Sequence, residues 1–150
     1  MQLSAKHLKA VDTIGDGNCF YRAISLSLVG NQSQYMVLRH KIAQHLIDHG
    51  KYIFLCAGIT SNNDESILKS AVNVRRDGTW AGEDILLVAA DYLKRPIHVY
   101  NANIKDSPRI YLPSQPCSDA PVMIAFYEPG HYVYVTHSGN VYSPHRAIIH

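Results

Sequence analysis

Residues 15–24 read Gly15-Asp16-Gly17-Asn18-Cys19-Phe20-Tyr21-Arg22-Ala23-Ile24, and the reading of the chain starts here. Two glycines interleaved with Asp and Asn make a turn, because glycine tolerates positive φ and Asx side chains hydrogen-bond their own backbone. Apolar residues then recur at Phe20, Ala23, Ile24 and Leu28 as far as Gly30-Asn31, which predicts a helix over 19–29. Cys19 falls at the mouth of that helix, where unpaired N–H groups and the positive end of the helix dipole converge. Such a place favours the thiolate, the nucleophilic form of cysteine. The N–H groups of Asp16, Gly17, Asn18 and Cys19 would receive the oxyanion of a tetrahedral intermediate. The competing reading, a buried structural cysteine at a helix start, has equal weight locally, since free cysteine is among the most buried residue types.

Outward from this stretch, residues 8–14 read as extended. A second helix is expected over about 33–49, with Met36, Val37, Ile42, Leu46 and Ile47 inward and Gly50 as its stop. Residues 51–58 are ambiguous. Asn62-Asn63-Asp64 reads as a turn or cap before a helix over 65–74, and Asp77-Gly78 as a turn before Trp80. A further helix over 82–93 carries Ile85, Leu86, Val88, Ala89 and Tyr92 as its buried stripe. After Arg95-Pro96 the pattern changes to short β-branched or aromatic runs at 97–100, 109–112, 122–127, 132–137 and 141–143, with Ser138-Gly139-Asn140 as a hairpin turn. Helices followed by a strand cluster predict an α+β domain in which helices pack on one largely antiparallel sheet.

The 150 residues are the size of one domain, assigned to 1–150 as a whole, and 47% apolar with 17% charged residues is ordinary for a globular chain. A net charge of +2, from 14 basic and 12 acidic residues, argues against an electrostatic grip on nucleic acid. No run approaches membrane-spanning length, and the N-terminus lacks the apolar stretch of a signal peptide. Three cysteines, Cys19, Cys56 and Cys117, cannot all close in internal disulfides, which fits a reducing, cytoplasmic compartment. A monomer is expected.

A base for Cys19 must be found in space. The best candidate is His131, which follows the turn Glu128-Pro129-Gly130 and opens the strand 132–137. His98 lies inside a strand, His40, His45 and His49 share one helix, and His137, His145 and His150 sit at turns or the terminus. His45 and His49 have the i, i+4 spacing of a zinc pair, but Leu46-Ile47-Asp48 lacks the Glu of the metalloprotease pattern, so neither a metal nor a cofactor is expected.

The string from Asp16 to Ile24 resembles the nucleophile motif of the ovarian-tumour (OTU) cysteine proteases. Trp80-Ala81-Gly82-Glu83 resembles that family's Trp-Gly-Gly-Glu element, Pro96-Ile97-His98-Val99 its Pro-Ile-x-Val strand, and His131-Tyr132 its histidine motif. They come in the family's order and span 12–135. The resemblance implies a papain-like fold and a thiol isopeptidase that removes ubiquitin, or a ubiquitin-like modifier, from lysine side chains, with Cys19 as nucleophile and His131 as base. Asp16 would belong with the catalytic set, or would chiefly hold the oxyanion loop. Trp80, Gly82 and Gly130 would wall a channel for the modifier's Gly-Gly end, although a lone Trp is as readily a core residue. Glu83 and Glu128 read as solvated surface ahead of contacts to a modifier's arginines.

One departure stands out. Where many members place an Asp or Asn two residues after the histidine to orient it, this chain has Val133. Asn140 is too far along the hairpin to substitute, Asp12 and Thr13 on the upstream strand are candidates, and a bare Cys–His dyad is viable. The rival readings are a catalytically silent ubiquitin-binding module, which Val133 keeps alive, and a papain-like protease acting on a polyprotein. In a bacterial or viral source the same residues would imply work in the host cytoplasm.

Overall fold

A computed structural model describes residues 2–3, 8–101, 107–117, 119–128 and 130–137. Helix α1, Cys19–Val29, ends on Gly30 in the left-handed region (φ 86°), whose N–H bonds to Leu26 O, the usual way glycine closes a helix. Helix α3, Asp64–Arg75, starts on a full capping box. The Asn63 side chain accepts the Ser66 N–H at 2.8 Å, and Ser66 Oγ accepts the Asn63 N–H at 3.0 Å. Helix α4, Glu83–Leu93, carries Glu83 and Asp84 in its first turn, where carboxylates meet the positive end of the dipole.

Helix α2 departs from expectation. It runs Tyr35–Cys56, straight through Gly50, and takes in part of the stretch that local sequence left ambiguous. Gly50 is not a stop. It is buried where α2 meets α3, and a Cβ there would come within 2.8 Å of Leu46 Cδ1 and 3.7 Å of Ile67. Apolar packing of α2 on α3 and the rest of the core carries the helix through the modest propensity lost to an interior glycine.

Six strands form one sheet in the order β1-β2-β6-β5-β3-β4: β1 Gln2–Leu3, β2 Leu8–Val11, β3 Ile97–Asn101, β4 Arg109–Tyr111, β5 Val122–Tyr127 and β6 His131–His137. Every neighbouring pair is antiparallel except β3 with β5, so the largely antiparallel α+β architecture is as expected. The short β1 has no counterpart in the sequence reading, and the hairpin 138–140 with its strand 141–143 lies outside the described residues.

Alternation along the strands divides the apolar residues between two faces. Ile97, Val122, Ile124, Tyr132 and Tyr134 join Phe20 and Ile24 of α1, Ile42 and Leu46 of α2 and Leu86 of α4 in the main core, whereas Leu8, Ala10, Ala125, Val133 and Val135 form a smaller cluster on the other face.

Helix α1 packs against β6, and that contact positions the site. Because a Cβ at Gly50 would already touch Leu46 and Ile67, Gly50→Leu is expected to destabilise the fold by about 1–3 kcal/mol through overpacking. Thermal melting of that variant checks it, and an unchanged midpoint would contradict the packing role.

Candidate active site

Asp16 builds the loop ahead of α1. Its Oδ1 accepts the Asn18 N–H at 3.0 Å and Arg22 Nε at 3.2 Å, and its Oδ2 accepts Asn18 Nδ2 at 3.2 Å and Arg22 Nη2 at 2.9 Å. Partial burial pushes the Asp16 carboxyl up, but the bonds from Arg22 and Asn18 outweigh it and hold it below the usual carboxylate range. Both oxygens are engaged within the loop. Asp16 therefore organises the turn and is not joined to the imidazole.

Of the four amides expected to face an oxyanion, three are occupied at rest. Asp16 N–H bonds to Ile14 O at 3.0 Å, Asn18 N–H to Asp16 Oδ1 at 3.0 Å, and Cys19 N–H to Asp16 O at 3.2 Å. Among the described residues the Gly17 N–H has no such partner.

Cys19 is 2% exposed and lies against the start of β6. Its Sγ–H donates to Gly130 O at 3.7 Å, and its sulfur accepts the Tyr132 N–H at 3.4 Å. The residues on either side of His131 thus touch the sulfur, so nucleophile and imidazole belong to one site. The helix mouth is not the larger influence on the sulfur. Burial raises the Cys19 pKa above its usual value, outweighing the N–H bonds from Tyr132 and the helix start, and the Asp16 charge pushes the same way.

The orienting group is Asp12. His131 Nε2 lies 2.9 Å from Asp12 Oδ1, and Thr13 Oγ1 lies 3.5 Å from the same nitrogen while donating to Tyr132 O at 2.7 Å. The register that pairs Val11 with Tyr134, continued by one residue, brings Asp12 across from Val133. The carboxylate arrives from the neighbouring strand at the position Val133 leaves without one. Val133 itself is buried in the smaller apolar cluster. The bond to His131 is the chief reason the Asp12 carboxyl sits below its usual range; burial opposes it, and the Thr13 N–H and the His131 charge add to it. With Nε2–H donated to Asp12, the lone pair of a neutral imidazole resides on Nδ1.

Trp80 is 61% exposed, which removes it from the core. Its ring is seated on Gly130: a Cβ at Gly130 would run into Cζ3, Cη2 and Cε3 of the indole, and Gly130 has φ 155°, which side chains rarely adopt. Trp80 and Gly130 therefore meet beside the sulfur. Gly82 does not join them. It is the N-cap residue of α4, its carbonyl accepting the N–H groups of Ile85 and Leu86, and a Cβ there would meet only Asp84 Oδ1.

Next to Tyr132 a cleft of about 470 Å³ is lined by Glu83, Tyr111, Phe126 and Glu128, among others. Glu83 is ion-paired with Arg109 and accepts Tyr111 OH at 3.2 Å.

The most tightly held group went unread in the sequence. Arg39 of α2 is fully buried and gives all its N–H groups to the loops around Cys19. Nε bonds to Asn18 Oδ1 at 2.7 Å, Nη1 to Val74 O at 2.8 Å and Thr79 Oγ1 at 3.1 Å, and Nη2 to Gly17 O at 3.1 Å and Thr79 O. An arginine in register with the inward residues Ile42 and Leu46 was the available signal. Elsewhere on α2, His45 Nε2 bonds to Asp91 at 2.6 Å and its ring lies 4.7 Å from that of His49. Among the described residues no group of three or more His, Cys, Asp or Glu side chains converges as metal ligands.

A buried thiol at a helix mouth, flanked by the strand whose imidazole a carboxylate orients, is the constellation of a thiol hydrolase. The comparisons name its class. Residues 14–137 match the family model described as OTU-like cysteine protease, and the chain belongs to that family. It is 30% identical over 124 residues to the Homo sapiens OTU domain-containing protein 1, covering 79% of this chain and 24% of that protein. The solved OTUD1 OTU domain superimposes with a TM-score of 0.70 at 26% identity, over 86% of this chain and 85% of that one. The Arabidopsis thaliana protein named ovarian tumor domain-containing deubiquitinating enzyme 7 is 31% identical over 113 residues, covering 74% of this chain and 28% of its own length. An OTU domain solved in complex with ubiquitin shares the fold, with a TM-score of 0.64 at 17% identity over 86% and 69% of the two chains. The chain spans about a quarter of the length of the curated relatives it matches.

Since burial pushes the Cys19 thiol up, removing the imidazole should leave that effect unopposed. In His131→Ala, with Cys56 and Cys117 replaced by Ser, alkylation of Cys19 by iodoacetamide is expected to rise only above pH ~8.5, the ordinary thiol value. A midpoint at or below that value, followed by mass spectrometry, would show that the helix mouth alone ionises the sulfur.

Proposed function

We propose that this domain is a thiol-dependent isopeptidase that releases ubiquitin, or a ubiquitin-like modifier, from lysine side chains. The observation that carries the reading is the double contact of Cys19 Sγ with Gly130 O and Tyr132 N, astride a His131 held by Asp12. The relatives' printed names and the solved ubiquitin complex supply the substrate class.

In this reading His131 Nδ1 takes the thiol proton as Cys19 Sγ attacks the carbonyl carbon of the modifier's C-terminal glycine. The resulting oxyanion is received at the loop of Gly17, Asn18 and Cys19, where the free Gly17 N–H is a ready donor and the Cys19 N–H exchanges its bond to Asp16 O. The tetrahedral adduct collapses by breaking the C–N bond. Its lysine amine leaves with the proton from His131, and the acyl group remains as a thioester on Cys19. Water, deprotonated by His131, attacks that thioester, the C–S bond breaks, His131 returns its proton to sulfur, and the released carboxylic acid gives up its own proton to solvent as it departs as the carboxylate. Asp12 stabilises the imidazolium at each stage and fixes its tautomer. Asp16 keeps the loop in shape through Arg22 and Asn18.

The exposed Trp80 ring, packed on Gly130 beside the sulfur, offers a flat surface that suits a tail without side chains, and the cleft bearing Glu83 and Glu128 suits basic residues upstream of the Gly-Gly end. Gly82 contributes by starting α4. An active thiol needs a reducing compartment, which favours the cytoplasm of the cell in which the domain acts, and we take the monomer as the working form. The silent-module reading rested on Val133, and Asp12 supplies the group that position lacks.

Ubiquitin carrying a C-terminal electrophile is expected to add one modifier mass to the parent and none to Cys19→Ala; labelling that survives in Cys19→Ala would refute the nucleophile. Asp12→Asn keeps a side chain of the same shape without the charge, and its kcat is expected to fall by about 10- to 100-fold with the fold intact, the orienting group being the least costly member of measured triads. Unchanged turnover in Asp12→Asn would leave a bare dyad.

A further inference from the structure

We propose that Arg39 is a positioning residue of the reaction: its guanidinium fixes the spacing between the loop that carries the oxyanion amides and the Thr79-Trp80 segment that walls the approach to Cys19. The proposal rests on the isopeptidase reading and adds a residue that touches no substrate.

The five N–H groups of Arg39 reach three separate pieces of backbone. Gly17 O and the Asn18 side chain belong to the nucleophile loop, Val74 O to the end of α3, and Thr79 to the turn before Trp80. The two loops are also joined directly. Asn18 Oδ1 accepts the Gly78 N–H at 2.9 Å, Asn18 Nδ2 donates to Asp77 Oδ1 at 2.8 Å, and a Cβ on Gly17 would overlap the carbonyl of Gly78. Asn18 is buried, and its oxygen is shared between Arg39 and Gly78.

The connections close into a ring. From Arg39 one arm runs through Gly17 and Asn18 to Cys19, and the other through Thr79 to Trp80, which lies on Gly130, the acceptor of the Cys19 thiol. An arginine is suited to this corner because its planar fork bonds several acceptors at fixed angles, whereas an ammonium is a single point. The Tyr21 ring, 4.2 Å from the guanidinium carbon, closes one face. None of the five bonds goes to a carboxylate, so the charge is held by carbonyl, amide and hydroxyl oxygens of the very loops that must be aligned. Gly17, whose N–H is the free donor at the site, has its carbonyl fixed by Nη2. The guanidinium therefore limits rotation of the loop.

Arg39→Lys keeps the charge and loses the fork. With circular dichroism and melting temperature recorded alongside, kcat on a ubiquitin C-terminal fluorogenic amide is expected to fall by about 10- to 100-fold per folded molecule, with little change in KM, as for donors that act in the transition state. Alkylation of Cys19 by iodoacetamide, which uses neither the oxyanion amides nor the passage at Trp80, is expected to stay within about twofold of the parent. Parent-like kcat per folded Arg39→Lys molecule overturns the proposal, leaving Arg39 as a stabilising residue. So does alkylation that falls in step with kcat, because the defect would then lie in the thiol itself. If Arg39→Lys does not fold, Thr79→Val removes one acceptor and is expected to lower kcat by a smaller factor, about 3- to 10-fold; no loss there overturns the proposal as well. A parent chain that neither hydrolyses the amide nor labels with the ubiquitin electrophile refutes the isopeptidase reading instead, and is distinguished by the parent's own silence.

Discussion

The pairing of β2 with β6 is the constraint on which the site depends. Leu8 faces His137 and Val11 faces Tyr134, and this register delivers Asp12 and Thr13 to the start of β6. There Asp12 reaches His131 and Thr13 donates to Tyr132 O. The same end of β6 presents Gly130 O and Tyr132 N to Cys19. A one-residue slip would turn every side chain of β2 to the other face. Leu8 and Ala10 would leave the cluster they form with Val133 and Val135, and the carboxylate would leave the imidazole. Burial of small apolar residues behind the sheet thus keeps a polar contact in register at its edge.

Second to that ladder is the close approach of main chains. Helix α1 can dock its first residue on β6 because the loop before it is folded back by Asp16 and pressed against Gly78 at Gly17. The contact at Gly17 does not survive even a Cβ. The apolar face of Trp80 remains in solvent, which is unfavourable for so large a ring, yet the indole is not idle. It covers Gly130, and the surface left exposed is available to a ligand.

The nucleophile and its helix were legible because they depend on neighbours in sequence: a turn, an apolar period and a closing glycine. The strands after Pro96 were legible for the same reason. Gly50 was misread because the signal for a helix stop and the signal for helix–helix contact are the same residue; only the presence of Ile67 across the interface distinguishes them. The orienter of His131 was one of several candidates because its choice depends on strand register, which no local pattern around Val133 reveals. Trp80 was undecided between core and surface because burial is a property of the assembled fold. Arg39 was missed altogether. Charged residues on amphipathic helices ordinarily mark the solvated face, and its partners at 17, 18, 74 and 79 are loop carbonyls and side chains distant in sequence.

The electrostatic design differs from the one that a helix mouth suggests. Dipole and N–H groups favour the thiolate, but a sulfur that is 2% exposed loses most of its hydration, and desolvation is the larger effect. Asp16, needed to shape the loop, adds a negative charge nearby. The thiol donates to Gly130 O, and burial pushes its pKa up. In the proposed reaction the thiol proton passes to His131 Nδ1, while Asp12 holds Nε2. Asp12 lies largely in solvent, and the bond from His131 is the chief reason its carboxyl sits below its usual range. The buried sulfur and the exposed carboxylate are thus two halves of one arrangement, in which the group that must change charge is sheltered and the group that must keep it is left in water.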